Sequence, residues 1–186
     1  MHSWRVLLLP YLDQLELYNA YRFDEPWDGP NNRLLADRMP RHYCFSGDDT
    51  PGAVVTNYLA VVGPETMWPR EGSITYPAIK DRAHRTILIV ENQGAGVHWM
   101  EPRDLLLSEL DLRINSPLGI SSKYEDPGVA LVDGTLYRLT SKVTPDTLRA
   151  MLRIDTEEVA QWDEEQGWQL LPDGRRRPLA KPELRK

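Results

Sequence analysis

The clearest alternation of apolar and polar positions lies at residues 129–139. Two runs rich in β-branched and apolar side chains, Val129–Val132 and Thr135–Leu139, flank Asp133-Gly134. An Asp-Gly pair between such runs is a strong hairpin signal, because a type I′ turn needs positive φ at both central residues. The pattern therefore predicts a β-hairpin with a two-residue turn at Asp133-Gly134.

A helix start follows the hairpin at Thr144. The Thr144 hydroxyl can cap the helix, Pro145 suits its first position, and Asp146 favours the positive end of the helix dipole. Three apolar residues then fall on one helix face: Leu148, Met151 and Leu152. Hairpin and helix are predicted to form one unit, in which the helix folds back on a sheet edge.

The N-terminal segment is dense in apolar residues. Ser3 precedes Trp4–Leu9, which predicts one or two helical turns with Ser3 as the N-cap. Pro10 interrupts this run and can start a second helix, from Tyr11 to about Tyr21. The second helix would carry an apolar stripe: Leu12, Leu15, Leu17 and Tyr18. Such a dense apolar segment predicts neighbouring structure that covers it, which we expect to be either a second copy of the chain, bound through a surface that includes Trp4–Leu12, or the C-terminal segment Gln166–Leu171.

Two strands are predicted in the middle of the chain. Thr86–Glu91 is the most strand-like run and is predicted to be central in its sheet, with Val97–Met100 as a partner. Val54–Val62 is predicted as a strand that is covered on both faces. Shorter patterns predict the other elements: a helix at Asn31–Met39 with Leu34 and Leu35 inward, an extended segment at Tyr43–Phe45, a helical turn in Ala78–Arg85, a short helix in Pro102–Leu112, a loop at Asn115–Pro127, a helix at Asp155–Trp162 and a strand fragment from Gln166.

Composition is that of an ordinary globular protein. The 186 residues are 41% hydrophobic and 27% charged, which argues against disorder throughout and against fibrous classes. We predict one domain at residues 1–165 and a C-terminal extension with a basic tail at residues 166–186. From residue 174 onward six basic residues face one acid, so the tail carries +5 and the remainder −11 of a net −6. The acidic body argues against a nucleic-acid partner.

Neither a disulfide framework nor a membrane anchor is visible in the sequence. Cys44 is the single cysteine, so no intrachain disulfide can form. The longest apolar runs, Val6–Leu9 and Ile87–Val90, are far shorter than the roughly 20 residues that a bilayer needs. The first residues also lack the pattern of a signal peptide, so the chain is expected to be cytoplasmic if it is complete as written.

Several polar groups have residue types that occur in metal, cofactor or catalytic sites. His42 and Cys44 would share one face of a strand near Asp48 and Asp49, but structural zinc needs more N and S ligands. Gly94-Ala95-Gly96 follows a strand yet lacks the third glycine of a dinucleotide motif. Two acid–histidine pairs, Asp81 with His84 and His98 with Glu101, are most simply solvated side chains. Arg175–Arg177 could contact an acidic surface or lipid headgroups, although a solubilising tail is the simpler interpretation. We therefore predict no catalytic residue, no cofactor and no metal.

A series of segments resembles a planctomycete family of pseudopilin-like proteins known as domain of unknown function 1559. The segments, in chain order, are His2–Leu12 with Leu17-Tyr18, Asp24–Asp28 with Asn31-Asn32, Tyr43-Cys44-x-Ser46, Tyr58–Gly63, Thr86-Ile87-x-x-x-Val90-Glu91, Val132–Gly134 and Pro145-x-Thr147-Leu148. The chain departs from the family pattern at two positions: Lys123 stands where the family has histidine, and Phe45 stands where it usually has proline.

The resemblance implies an α+β fold that is pilin-head-like, with an antiparallel sheet and its C-terminal hairpin packed against helices. It agrees with the hairpin and helix predicted from the pattern alone. It also implies the head of a cell-envelope protein related to type II secretion and type IV pilus subunits, with the family's N-terminal membrane helix missing from this chain. Fold analogy does not by itself establish function.

Two functions are consistent with the sequence. The first is a non-enzymatic structural or interaction protein of the cell envelope that binds protein partners or itself. The alternative is a soluble ligand-binding or hydrolytic domain whose site is assembled from scattered residues. A pocket of converging polar groups with shifted pKa values would favour the alternative, whereas a flat apolar surface would favour the first.

Overall fold

The computed structural model describes residues 1–48, 50–79, 82–155, 159–163 and 167–171. Within these residues the α-helices are α1 (Trp4–Leu7), α2 (Leu15–Ala20), α3 (Tyr76–Ile79) and α4 (Pro145–Leu152). The strands in the same part of the chain are β1 (Tyr58–Leu59), β2 (Val61–Val62), β3 (Ile87–Glu91), β4 (Leu105–Leu106), β5 (Gly128–Leu131), β6 (Leu136–Arg138), β7 (Val159–Asp163) and β8 (Gly167–Leu171). None of the described helices is long and apolar enough to cross a bilayer.

The main sheet is antiparallel and has the strand order β1-β3-β5-β6. β3 lies between two neighbours, which confirms that Thr86–Glu91 contains an interior strand. Its residues Ile87 and Val90 are buried against α4 residues such as Leu148 in the main core cluster. Separate helices beside an antiparallel sheet make the fold α+β, as the sequence predicts.

The hairpin between β5 and β6 forms as predicted, but its turn is one residue longer. The amide of Gly134 donates to the carbonyl of Leu131, and the amide of Leu131 donates to the carbonyl of Thr135. Gly134 has φ of 87°, whereas Asp133 does not have positive φ. The turn therefore spans Val132–Gly134, with a glycine bulge at its end, and the predicted type I′ turn is wrong.

The helix that follows the hairpin begins as the sequence predicts. Thr144 is the N-cap of α4, and its hydroxyl accepts a hydrogen bond from the amide of Thr147 at 3.2 Å. The predicted apolar face is buried in the main core cluster: Leu148, Met151 and Leu152. Capping and amphipathic spacing are local signals, so this element is visible in the sequence.

The predicted helix at Asp155–Trp162 is wrong where the structure describes it, because β7 occupies residues 159–163. β7 pairs with β8, and Trp162 lies opposite Trp168. The ring centroids of both tryptophans lie within 5.2 Å of Tyr137, which provides the aromatic surface for the pair. This contact outweighs helix propensity, and the boundary predicted after residue 165 falls between the two paired strands.

The predicted strand Val54–Val62 is divided between two sheets at Ala60. β1 pairs with β3, whereas β2 pairs in parallel with β4. The amide of Ala60 donates to Oδ1 of Asp104 at 2.8 Å instead of joining the main sheet. β4 also replaces the helix that was predicted in Pro102–Leu112. Both corrections depend on Asp104, which lies 44 residues from Ala60 in the chain.

Val97–Met100 was predicted to pair with β3, and this is also wrong. The segment lies against residues 54–56, where Thr56 donates to the carbonyl of Val97 and Trp99 donates to the carbonyl of Val54. The predicted extended segment at Tyr43–Phe45 begins instead as a short 3₁₀ turn, Arg41–Tyr43. The connection between β3 and residue 97 contains a tight turn at Gly94–Gly96, which leaves β3 free to pair with β5.

The N-terminal helices are shorter than predicted. Ser3 caps α1 as expected, but a 3₁₀ turn at Leu9–Leu12 ends at Asp13, whose φ is 57°, before α2 begins. The predicted helix Asn31–Met39 is reduced to a 3₁₀ turn in which Leu34 is 72% exposed. These segments build a second core cluster: Val6, Leu9, Leu17, Tyr21, Tyr43, Trp99 and Met100.

Candidate functional site

Arg5 on α1 is the most deeply buried charged residue of the family-like N-terminal segment. Its side chain is 0% exposed, and Nη2 binds Oδ1 of Asp104 at 2.5 Å. Nε donates to the carbonyl of Tyr58 at 3.1 Å, and Nη1 donates to the hydroxyl of Ser3 at 3.0 Å. The guanidinium therefore joins α1 to β1 and to the start of β4.

Asp104 completes this arrangement, which we call the Arg5–Asp104 clasp. Its Oδ1 also accepts hydrogen bonds from the indole of Trp4 and from the amide of Ala60. Burial raises the pKa of Asp104 more than Arg5 and the N–H donors lower it. Burial likewise lowers the pKa of Arg5. The side chains of Ser3, Trp4 and Arg5 thus bind other parts of the fold, and the charge of Arg5 is paired.

A second family-like segment is satisfied internally in the same way. Oε1 of Glu25 accepts hydrogen bonds from the amides of Asn31 and Asn32 at 2.9 and 2.6 Å. The buried side chain of Asn32 in turn accepts from the amide of Arg22 and donates to the carbonyls of Arg22 and Pro26. These bonds fix the loop between α2 and residue 32, so its acidic and amide groups have a structural role.

Glu91, at the end of β3, anchors the long loop that leads to β5. Its carboxylate accepts a hydrogen bond from the amide of Gly128 at 2.7 Å, and its carbonyl accepts one from the amide of Ser121. A Cβ atom at residue 128 would lie 3.0 Å from the Glu91 carboxylate, so the absence of a side chain there permits the contact. Glu91 thereby holds both ends of the loop that carries Lys123.

Lys123 and Phe45, the two departures from the family pattern, lie against each other. Nζ of Lys123 is 5.8 Å from the ring centroid of Phe45 and 5.2 Å from that of Tyr124. The same ammonium pairs with Asp48 at 2.5 Å, which raises the pKa of Lys123. The hydroxyl of Tyr124 donates to the carbonyl of Ser46. Lys123 thus fastens the loop to residues 45–48.

The structure does not bring the predicted metal candidates together. His42 lies in a 3₁₀ turn and is exposed, whereas Cys44 is half-buried, so the pair does not share a strand face. Asp49 and Asp81 lie outside the described residues. Within those residues no three His, Cys, Asp or Glu side chains are grouped so that they could hold a metal ion.

The other polar candidates have structural partners. Nδ1 of His98 accepts a hydrogen bond from the amide of Met100 at 3.1 Å, and burial lowers the pKa of His98. The Glu101 carboxylate pairs with Arg103 at 2.7 Å. The side-chain oxygen of Asn92 accepts hydrogen bonds from the amides of Gly94 and Ala95. Gly94–Gly96 is therefore a turn and does not begin a helix.

The outward side of the N-terminal helices is apolar. Four large apolar side chains of this segment are exposed, and we call them the N-terminal apolar face: Leu7 (50% exposed), Leu8 (40%), Tyr11 (83%) and Leu15 (57%). Val6 and Leu9, which alternate with them, point into the second core cluster. A concentration of exposed large apolar groups within nine residues is typical of an interaction surface.

The apolar density of residues 4–12 was visible in the sequence, but its division into two sides was not. Leu15 was predicted to share an apolar stripe with Leu12, Leu17 and Tyr18, but it is 57% exposed while Leu17 is buried, because α2 begins only after the left-handed residue Asp13. The roles of Asp104 and Glu91 were also missed. Their partners are 99 and 37 residues away, and no local pattern indicates such contacts.

Comparison with known proteins gives one family. A family model described as "protein of unknown function (DUF1559)" matches residues 1–102. The matched range contains Arg5, Glu25 and Glu91, and it ends two residues before Asp104. It leaves out the hairpin and the start of α4, which carry the last two segments of the resemblance. No curated protein and no solved structure matches the chain.

Proposed function

The chain belongs to the DUF1559 family, and from this premise we propose that it is a non-enzymatic structural or interaction protein of the cell envelope. In this proposal it acts as a pseudopilin-like head that associates with further copies of itself. The observation that carries the proposal is the N-terminal apolar face, which is open on the surface of the folded chain.

The distribution of charge supports this choice over a ligand-binding or hydrolytic domain. Burial shifts the pKa of both charged groups of the Arg5–Asp104 clasp, and each of them already has a partner. The hydroxyl of Tyr43, whose pKa burial raises, donates to the carbonyl of Arg5 in the same cluster. These polar groups therefore stabilise α1 through contacts within the chain. The side chains of the N-terminal apolar face remain exposed and can contact a partner.

The C-terminal hairpin was the other candidate cover for this surface. β8 pairs with β7 and packs with α4 against the main core cluster, while Leu7, Leu8 and Tyr11 stay exposed. The alternative in which residues 166–171 close over the N-terminal segment is therefore wrong for residues 167–171, and Gln166 lies outside the described residues. A second copy of the chain is the cover that we propose.

The expected energy is sufficient for association. Full burial of a leucine or a similarly large apolar side chain contributes about 1.5–3 kcal/mol. Four such side chains on each partner can offset much of the roughly 4–15 kcal/mol that association costs in lost freedom. The area outside this face then decides whether the complex is weak or stable.

Sedimentation velocity over a range of concentrations tests the proposal. At high ionic strength, which screens contacts between exposed charges, the wild-type chain should sediment as a species of at least twice 21.4 kDa, and Leu7→Ser/Tyr11→Ser should shift it to 21.4 kDa. The matched control is Leu34→Ser/Leu118→Ser, which removes two leucines that are equally exposed elsewhere and should leave association unchanged. A wild-type chain that stays monomeric throughout and binds no hydrophobic dye contradicts the proposal.

A further inference from the structure

A second surface feature lies beside the N-terminal helices and is separate from the apolar face. It is a shallow, open cleft of about 480 Å³ whose lining residues include Phe23 and Trp27. Asp24 and Asp28 also line it. We call these four residues the aromatic cleft.

Both aromatic walls are fixed by contacts behind them. The Phe23 ring lies 5.0 Å from the Tyr21 ring, and the His2 ring hydrogen-bonds both to the Tyr21 hydroxyl and to the Phe23 carbonyl. The Trp27 ring lies 4.9 Å from the ring of His98. The cleft is therefore formed in the free chain, which lowers the entropic cost of binding.

The cleft is negatively charged. The carboxylate of Glu25 is occupied by Asn31 and Asn32, but Asp24 and Asp28 are exposed and form no hydrogen bond or ion pair with any described residue. Burial raises the pKa of Tyr21 to about 12, and the nearby Glu25 and Asp28 add to this shift. Aromatic faces next to available carboxylates suit a guanidinium or ammonium group, which can stack and pair at once.

We propose that the aromatic cleft of one copy binds the basic C-terminal tail, residues 174–186, of a second copy. The tail contains six cationic residues and one acid: Arg175, Arg176, Arg177, Lys181, Arg185, Lys186 and Glu183. Its charge of +5 complements the −11 of the remainder. Arg175–Arg177 provides three consecutive guanidinium groups, the type of group that stacks on indole and pairs with carboxylate.

The place where the tail begins favours a second copy over the same chain. β8 ends at Leu171, beside β7 and α4, and so belongs to the main core cluster. The aromatic cleft lies against the other cluster, which contains Tyr21. The tail of one copy would start beside its own main core cluster and bind next to the second core cluster of a neighbouring copy. Such a contact is heterologous, and it repeats from copy to copy. The contact uses a surface other than the N-terminal apolar face, so either proposal can fail alone.

Carbodiimide cross-linking of a mixture of unlabelled and ¹⁵N-labelled full-length chains tests the inference. Amide cross-links should join Lys181 or Lys186 to Asp24 or Asp28, and light–heavy pairs should be as frequent as same-label pairs. Cross-links only within chains of one label overturn the choice of a second copy. Glu16 and Glu109 are exposed acids outside the cleft. If cross-links join the tail to these two residues as often as to Asp24 and Asp28, the cleft is not the binding site.

Trp27→Leu keeps both carboxylates and removes one wall of the cleft. It should reduce the yield of these cross-links about fivefold, since stacking on the ring is lost. Tyr76→Leu removes an exposed ring from α3, outside both the cleft and the N-terminal apolar face, and is the matched control with unchanged yield. Equal yields in the wild type and in folded Trp27→Leu contradict a role for the ring.

A binding measurement covers the case in which Trp27→Leu does not fold. A synthetic peptide of residues 172–186 is titrated into the full-length chain whose own six basic tail residues are replaced by glutamine. Asp24→Asn/Asp28→Asn in that chain should weaken peptide binding about tenfold, and added salt should weaken it further. Asp13→Asn/Glu16→Gln is the charge-matched control with unchanged affinity. Equal peptide affinity in the two double variants overturns the proposal.

Discussion

Arg5 is the residue whose removal should cost the N-terminal segment most. Its guanidinium is fully buried, and Arg5→Leu would leave the buried Asp104 carboxylate without its cation. Breaking a buried pair by removing one partner costs about 3–5 kcal/mol. We expect the free energy of unfolding, measured by urea denaturation, to fall by this amount.

Two further variants test whether the loss of stability comes from the unpaired buried charge. Arg5→Leu/Asp104→Leu removes both charges and should recover part of the loss, because no unpaired buried charge remains. Arg38→Leu breaks the exposed pair with Glu16 and should cost at most about 1 kcal/mol. If Arg5→Leu costs no more than Arg38→Leu, the clasp does not have the structural role assigned to it.

Two histidines should make stability depend on pH. Burial lowers the pKa of His84, whose Nε2 has no hydrogen-bond partner among the described residues, and burial also lowers the pKa of His98. Below about pH 6.5 the unfolded chain therefore binds more protons than the folded chain, so stability falls as pH decreases.

The measurement is the free energy of unfolding between pH 7.5 and 5. His84→Gln and His98→Gln should each make the decline below about pH 6.5 shallower, and the double variant should flatten it further. A decline of the same slope in the double variant would mean that other groups cause the pH dependence.

At the scale of elements, Gly134 tests the turn that the structure revises. Its φ of 87° is strained for a β-branched residue, and no atom lies within 4 Å of the position that a Cβ would occupy. Gly134→Val should therefore cost about 1–3 kcal/mol through backbone strain alone. Gly134→Asn should cost less, because asparagine tolerates positive φ. Thermal denaturation measures both, and equal melting temperatures for wild type and Gly134→Val would exclude the strained turn.

Elements that depend on neighbours in sequence were predictable. The N-cap at Thr144, the interior strand at Thr86–Glu91 and the N-cap at Ser3 each follow from residues within one or two turns. The helix predicted at Asp155–Trp162 failed because Tyr137, 25 residues from Trp162, supplies the surface that favours a hairpin. The split of Val54–Val62 depends in the same way on Asp104.

The candidate site, too, could be predicted only where it depends on residues that are close in sequence. The sequence indicated that residues 4–12 need a cover, but the exposed side of this segment could be assigned only once Val6 and Leu9 had been placed inside. The aromatic cleft was missed entirely. Its wall residue Trp27 gains its orientation from His98, 71 residues later in the chain, which no periodic pattern records.

At the scale of the whole molecule, self-association should make the apparent melting temperature depend on concentration. A partner that binds only the folded chain stabilises it by mass action. Differential scanning calorimetry at high ionic strength, at low and at tenfold higher protein concentration, should show a rise for the wild type and none for Leu7→Ser/Tyr11→Ser. A concentration-independent melting temperature in the wild type would contradict association of the native state.

The separation of Arg5 from Asp104 has a consequence during synthesis. The two residues are 99 positions apart, so at about 5–20 residues per second the ribosome adds Asp104 roughly 5–20 s after Arg5. Throughout that interval the nascent chain carries an unpaired guanidinium next to Val6 and Leu9, whose core partners Trp99 and Met100 are made only at its end. We expect this segment to be bound by nascent-chain chaperones, and slower elongation between codons 5 and 104 to lengthen that contact.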